Sequence, residues 1–199
     1  MAMPALSRHR WTAADVRALM DDARSRHWPR YELLDGELLV TPAPEPRHQV
    51  IVGELFVPLK RYTDDERLGI TFTSPADIEL FPESITQPDV FVVPNDTIPA
   101  IEPMGWHHVR RLLLAIEVLS PSSLHQDRVT KRDFYLAHRV EQYWVVDPDA
   151  RVFERWTPEQ ERPDIVRNQL TWAPEGSRSP FILDVRDFFE VRCRFPRWS

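Results

Sequence analysis

Leu112-Leu113-Leu114-Ala115-Ile116-Glu117-Val118-Leu119 is a stretch of eight residues, seven apolar and one, Glu117, acidic. Apolar residues at both alternating sets of positions mark a strand covered on its two faces, as an interior strand is when helices lie on either side of its sheet. A carboxylate in such a strand costs several kcal/mol, on the order of 2–7, unless it is hydrogen-bonded, ion-paired or bound to a metal. Glu117 therefore needs a compensating partner, and the rest of the chain is read for one.

Downstream, Ser120-Pro121-Ser122 ends the strand, residues 126–139 carry a helical pattern, and Tyr143-Trp144-Val145-Val146 reads as the next strand. A strand, helix, strand unit follows, continued through Asp147-Pro148-Asp149-Ala150 into a hairpin with Val152-Phe153. Upstream, residues 68–93 break into short β-like runs at Ile70 to Thr73, Ile78 to Leu80 and Asp89 to Val93, the last after Gln87-Pro88. Between them and the Glu117 strand lies a loop with Pro94, Pro99 and Pro103. Thr12 with Asp15 resembles a capping box ahead of Val16, Leu19, Met20 and Ala23, so a first helix is expected there, ended by Trp28-Pro29. Tyr31 to Val40 reads as two strands about the Asp35-Gly36 turn. A second helix is expected from near His48, kinked or shortened by Pro58. The tail suggests one strand near Ile165 to Trp172 and a short helix at Asp187 to Val191.

The expected fold is α/β (α+β), a mixed sheet flanked by helices with extra β-hairpins. The 199 residues, 42% of them hydrophobic, are expected to form one domain, with residues 1–11 as an N-terminal extension. Five glycines against 19 prolines indicate stiff connections. A single cysteine, Cys193, excludes an internal disulfide and a cysteine-based zinc cage. The start Met1-Ala2-Met3-Pro4 lacks a secretory pattern, which points to a cytoplasmic protein, and no apolar run approaches the roughly 20 residues that span a bilayer. The net charge of −6 argues against a protein that coats nucleic acid electrostatically, yet is compatible with carboxylates gathered around a cation. No phosphate loop, G-x-S-x-G elbow or H-E-x-x-H motif is present.

Asp89 opens the strand after Pro88, and a neighbouring strand could bring it to Glu117. Converging carboxylates repel, and a hard cation that prefers oxygen, Mg²⁺ or Mn²⁺, would compensate them. Spacing alone leaves open the alternative that each acid pairs with an arginine. Asp127, Lys131 and Tyr135 recur every four residues along one helix face, which either looks into the same site or forms an ordinary exposed pair beside a packed tyrosine.

The segments Tyr31-Glu32-Leu33-Leu34-Asp35-Gly36-Glu37, Pro46-Arg47-His48-Gln49, Gln87-Pro88-Asp89, Glu117-Val118-Leu119-Ser120-Pro121-Ser122, Asp127 to Lys131, and Glu141-Gln142-Tyr143-Trp144-Val145-Val146-Asp147-Pro148 occur in one order. Together they resemble the Uma2 (DUF820) family of restriction-endonuclease-like proteins. The resemblance implies the PD-(D/E)XK nuclease fold and Mg²⁺-dependent hydrolysis of phosphodiester bonds, with DNA as the expected partner. It places Asp89 at the "PD" acid and Glu117 at the "(D/E)" acid, both as metal ligands. Leu119 stands where the pattern has lysine, so the resemblance moves that role to Lys131 on the following helix. Glu37, and behind it Glu32, is a further carboxylate candidate, and His48 a candidate for meeting phosphate or water. The helix-end turn also departs from the family's glycine, reading Ala137-His138-Arg139. The alternative function is a nuclease-fold protein with little or no catalysis, serving as a nucleic-acid-binding or protein-interaction module. A third reading is a structural domain in which an arginine neutralises Glu117. Cleavage of two strands would suit a homodimer.

Overall fold

A computed structural model of the chain describes residues 10–23, 29–101 and 105–193. The first helix, α1 (Ala13–Ala23), starts on a reciprocal cap. The Asp15 carboxylate accepts from the Thr12 N–H at 3.0 Å, and the Thr12 hydroxyl accepts from the Asp15 N–H at 3.2 Å. Trp28 and most of the expected N-terminal extension lie outside the described residues. Strands β1 (Arg30–Leu34) and β2 (Glu37–Thr41) form a two-stranded hairpin in which Asp35 and Gly36 both take positive φ, 50° and 84°. This is the backbone that an Asp-Gly turn supplies. The hairpin is a sheet of its own, attached where Leu33 and Ile85 exchange backbone hydrogen bonds of 2.7 and 2.8 Å.

Helix α2 runs from Pro46 to Glu66. It begins two residues before His48 because Pro46 occupies the first turn, where a missing N–H costs nothing. Pro58 does not shorten it: Ile51, Leu55, Leu59 and Thr63 continue one buried stripe past the proline, and their packing outweighs one lost hydrogen bond.

The main sheet has six strands in the order β3 (Gly69–Thr73), β4 (Val90–Pro94), β5 (Leu114–Val118), β6 (Gln142–Asp147), β7 (Val152–Trp156) and β8 (Asp164–Val166). Neighbours are antiparallel except β5 and β6, which are parallel. The crossover between those two carries a wide π-helical turn, Gln126–Lys131, that runs into α4 (Arg132–Ala137). Of the expected β-like runs, Ile78 makes only an isolated bridge to Thr86. The proline loop contains the short helix α3 (Ile98–Ile101) and a 3₁₀ turn at Trp106–His108, while Pro103 lies outside the described residues. Gly69 is required at the start of β3, since a Cβ there would stand 2.0 Å from the Val93 carbonyl oxygen.

The tail holds more than one strand. β9 (Gln169–Trp172) pairs with β10 (Phe181–Asp184), and α5 (Val185–Asp187) leads into a second π-helical turn, Phe188–Arg192. Alternation along the strands divides the core. Val90, Val92, Leu114, Ile116, Trp144 and Val146 pack under α2 and the β9–β10 hairpin. Phe91, Val93, Ala115, Tyr143 and Val145 face α4 through Phe134 and Tyr135. Glu117 shares the parity of Ala115, so it stands on the face that α4 covers.

Candidate active site

β4 and β5 are paired with Val90 opposite Ile116, and one further step of this register sets Asp89 opposite Glu117. Directly opposed residues of an antiparallel pair project to one side, with Cβ atoms about 4.5–5.5 Å apart. Both acids are buried, Asp89 at 7% exposure and Glu117 at 3%. They form the floor of a pocket of about 320 Å³, walled by Arg30, Glu32, His48, Gln87, Asp127 and Lys131 and by the Ser120–Ser123 loop.

Each carboxylate is held by the residues around it. The Oδ2 atom of Asp89 meets His48 Nε2 at 2.9 Å and accepts from the Val118 N–H at 2.9 Å, while Arg30 stands 3.7 Å from Oδ1. The Oε1 atom of Glu117 accepts from the Lys131 ammonium at 3.0 Å and from the Tyr135 hydroxyl at 3.2 Å. Lys131 also reaches Glu32 at 2.9 Å and Asp127 at 3.7 Å. Glu32 is fixed in turn by the Gln87 N–H at 2.8 Å and the Thr86 hydroxyl at 3.3 Å, and the Tyr135 hydroxyl shares a 2.6 Å hydrogen bond with Thr86. The partner that the sequence demanded for Glu117 is therefore a lysine from the crossover, and the helix face of Asp127, Lys131 and Tyr135 is turned inward and buried.

The charges do not balance. Four buried carboxylates, Glu32, Asp89, Glu117 and Asp127, face the buried ammonium of Lys131, with the Arg30 guanidinium and His48 beside Asp89 alone. Burial raises Glu117 well above the ordinary carboxylate range. Lys131 opposes that shift, and Asp89, Asp127 and Glu32 add to it. Asp127 is pushed up to about 6, again chiefly by burial against the pull of Lys131. Burial would raise Asp89 too, but the hydrogen bond and charge of His48, with Lys131 and the Val118 N–H, hold it below its usual value. Lys131 stays charged: burial favours the neutral amine, and Glu117, Glu32 and Asp127 more than reverse that preference. A site with this excess of negative charge takes up protons or a cation.

The donor set suits a hard cation. Two opposed carboxylates on the floor of a water-accessible pocket match an ion that keeps several waters and takes one or two protein oxygens. Among the described residues no group of three or more His, Cys, Asp or Glu side chains is placed to hold a metal ion, so the candidate donors are these two carboxylates.

Of the residues singled out in the sequence, Asp89, Glu117, Lys131, Asp127, Tyr135 and His48 meet in this one cluster. Glu37 does not: it is exposed at the start of β2, beside the hairpin turn. Glu32, the hairpin acid ranked behind it, supplies the carboxylate instead. A signal for this existed, because Glu37 directly follows the Asp35-Gly36 turn and must sit at the hairpin tip. Arg30 and Gln87 also line the pocket, and nothing in their spacing marked them out.

The arrangement has relatives. A crystal structure of a "putative nuclease belonging to DUF820" from Anabaena variabilis ATCC 29413 is 24% identical, covers 81% of this chain and 90% of its own, and superposes with a TM-score of 0.67. That likeness establishes a shared fold. No curated protein matches the chain. The model of the Uma2 family, described as "Putative restriction endonuclease", matches residues 17–182. That span runs from α1 into β10 and includes every residue of the acidic cluster, so fold, site and family rest on the same stretch of sequence: the chain belongs to the Uma2 family.

Proposed function

We propose that the chain is an endonuclease that hydrolyses phosphodiester bonds in DNA, with Mg²⁺, or Mn²⁺ in its place, held between Asp89 and Glu117. The observation that carries this reading is the register that sets these two buried acids opposite each other at the floor of an open pocket, with Lys131 on Glu117. A bound Mg²⁺ supplies a Lewis acid toward the phosphate and lowers the pKa of a coordinated water.

The chain's own residues do the rest. His48 and the Val118 N–H fix the orientation of Asp89, and Tyr135 and Lys131 fix that of Glu117. Lys131, kept protonated by its three acids, offers positive charge toward a phosphate oxygen rather than acting as a base. Cutting both strands of a duplex calls for two copies of the site, so the proposal includes a homodimer, checked by light scattering.

Supercoiled and linear DNA incubated with Mg²⁺ should be cut by the wild-type protein. Asp89→Ala and Glu117→Ala should each lower the rate by about a thousandfold or more, with unchanged circular dichroism. Calorimetric Mg²⁺ binding should weaken in both. If both variants cut like wild type, the assigned site is wrong. A second reading, a nuclease-fold module that binds without cutting, is favoured by the engagement of Lys131 with Glu32 as well as Glu117. Binding of DNA without cleavage under Mg²⁺ or Mn²⁺ would select it.

A further inference from the structure

β5 ends at Val118, β6 ends at Asp147, β7 begins at Val152 and β8 ends at Val166. Their pairings, Val118 with Val146, Asp147 with Val152 and Phe153 with Val166, bring all four ends to one edge of the sheet. The acidic pocket opens on that edge. A second hollow of about 360 Å³ lies further along it, lined by Arg151, Arg167, Asn168, Arg186, Phe189 and Glu190. Between the two is a third depression that shares His48 and Ser120 with the acidic pocket and ends at Asp149, one residue short of the arginine hollow. The three hollows follow one another in order along that edge.

Two acids along its middle are ion-paired, Asp149 with Arg47 at 2.6 Å and Asp147 with Arg128 at 2.6 Å. The arginine end differs. The side chains of Arg167 and Arg186 have no ion pair or hydrogen bond with any described residue. Arg151 stands 3.6 Å from Glu190, with both side chains more than half exposed. This occurs in a chain of net charge −6 whose other arginines include Arg47, Arg111, Arg128, Arg155 and Arg178, all ion-paired. The platform is rigid. Asp147 Oδ1 accepts from the N–H groups of Asp149 and Ala150 at 3.0 and 2.8 Å, fixing the turn that presents Arg151, and buried Val185 and Phe189 form the floor.

We infer that the arginine hollow binds the phosphate backbone of the DNA strand flanking the scissile phosphate. The hollow lies up to three strands along the sheet from Glu117, with strands about 4.8 Å apart, and its floor belongs to the core on the opposite face, so a nucleic-acid strand reaching both sites passes over the strand ends. Guanidinium forks match phosphate oxygens, and their exposure keeps desolvation cheap, so the contact is independent of sequence. The inference rests on the proposal that DNA is the substrate.

The test is binding, without chemistry. A labelled duplex of about 30 base pairs is titrated in EDTA, at about 50 to 200 mM salt, with wild type, Arg167→Ala/Arg186→Ala and, as control, Arg162→Ala, an exposed arginine beyond the opposite end of β8. The double variant should bind about tenfold more weakly, with a salt slope shallower by about two, while the control matches wild type and all three melt alike. Equal affinity and slope in the double variant overturn the inference, as does a wild type that binds no duplex. Binding lost in the double variant of a protein that never cuts supports the arginine hollow and sinks the catalytic reading. Cleavage by wild type with unaltered binding in the double variant does the reverse.

Discussion

The acidic pocket and the arginine hollow occupy one edge of one sheet and are built on opposite principles. In the pocket the charged groups are buried and cross-linked: Lys131 contacts three acids, and each of those acids comes from a different element. In the hollow the charged groups are exposed, and two of the three arginines have no described partner. Buried charges interact strongly, shift each other's protonation and impose a fixed geometry, whereas exposed charges attract at longer range and are screened by salt. The pocket is suited to chemistry at a fixed point and the hollow to holding a polyanion.

This contrast fails if charge removal has similar consequences in the two places. The largest effect is expected for Lys131→Met, which leaves three buried acids, Glu32, Glu117 and Asp127, without their ammonium. Urea unfolding at pH 7 should show a loss of about 3–5 kcal/mol, against less than about 0.5 kcal/mol for Arg186→Ala. Equal losses would break the comparison.

A pH series sharpens it. The folded-state value of Asp127, about 6, lies above its ordinary 3.8, so the native protein binds a proton that the unfolded chain releases between these values. The cost of Asp127 is therefore fully present above pH 6 and disappears as the pH falls toward 4. Asp127→Asn should be more stable than wild type by about 2 kcal/mol at pH 7, with the difference closing at pH 4. A difference independent of pH would mean that folding does not raise the proton affinity of Asp127. The smallest effects separate the hairpin acids: Glu32→Gln should cost about 1–3 kcal/mol in thermal or urea unfolding, and Glu37→Gln less than about 0.5.

Much of this was legible in the chain because local chemistry decided it. The Thr12 and Asp15 cap, the Asp35-Gly36 turn and the strand around Glu117 each follow from a few adjacent residues, and so does the helix that carries Lys131. Long-range packing decided what was misread. Helix α2 passes Pro58 because the sheet beneath it rewards the continued stripe. β10 carries three consecutive apolar residues, with Ile182 exposed at 56%, so its alternation cannot be seen in residue type. The tie between Lys131 and Glu32 joins the crossover to a separate hairpin sheet, a juxtaposition that no periodicity encodes.

That hairpin touches the main body through the Leu33–Ile85 bridge, and Glu32 is the residue just before Leu33. Strand side chains alternate with a period of two, so the bridge fixes the phase in which β1 presents its acid. An insertion at the tip, between Asp35 and Gly36, lengthens a loop and leaves that phase intact. One inserted between Glu32 and Leu33 rotates the acid away from Lys131 and brings the new residue into its place. Length at the hairpin tip is thus free to vary, while length on the pocket side of Leu33 is locked to the site.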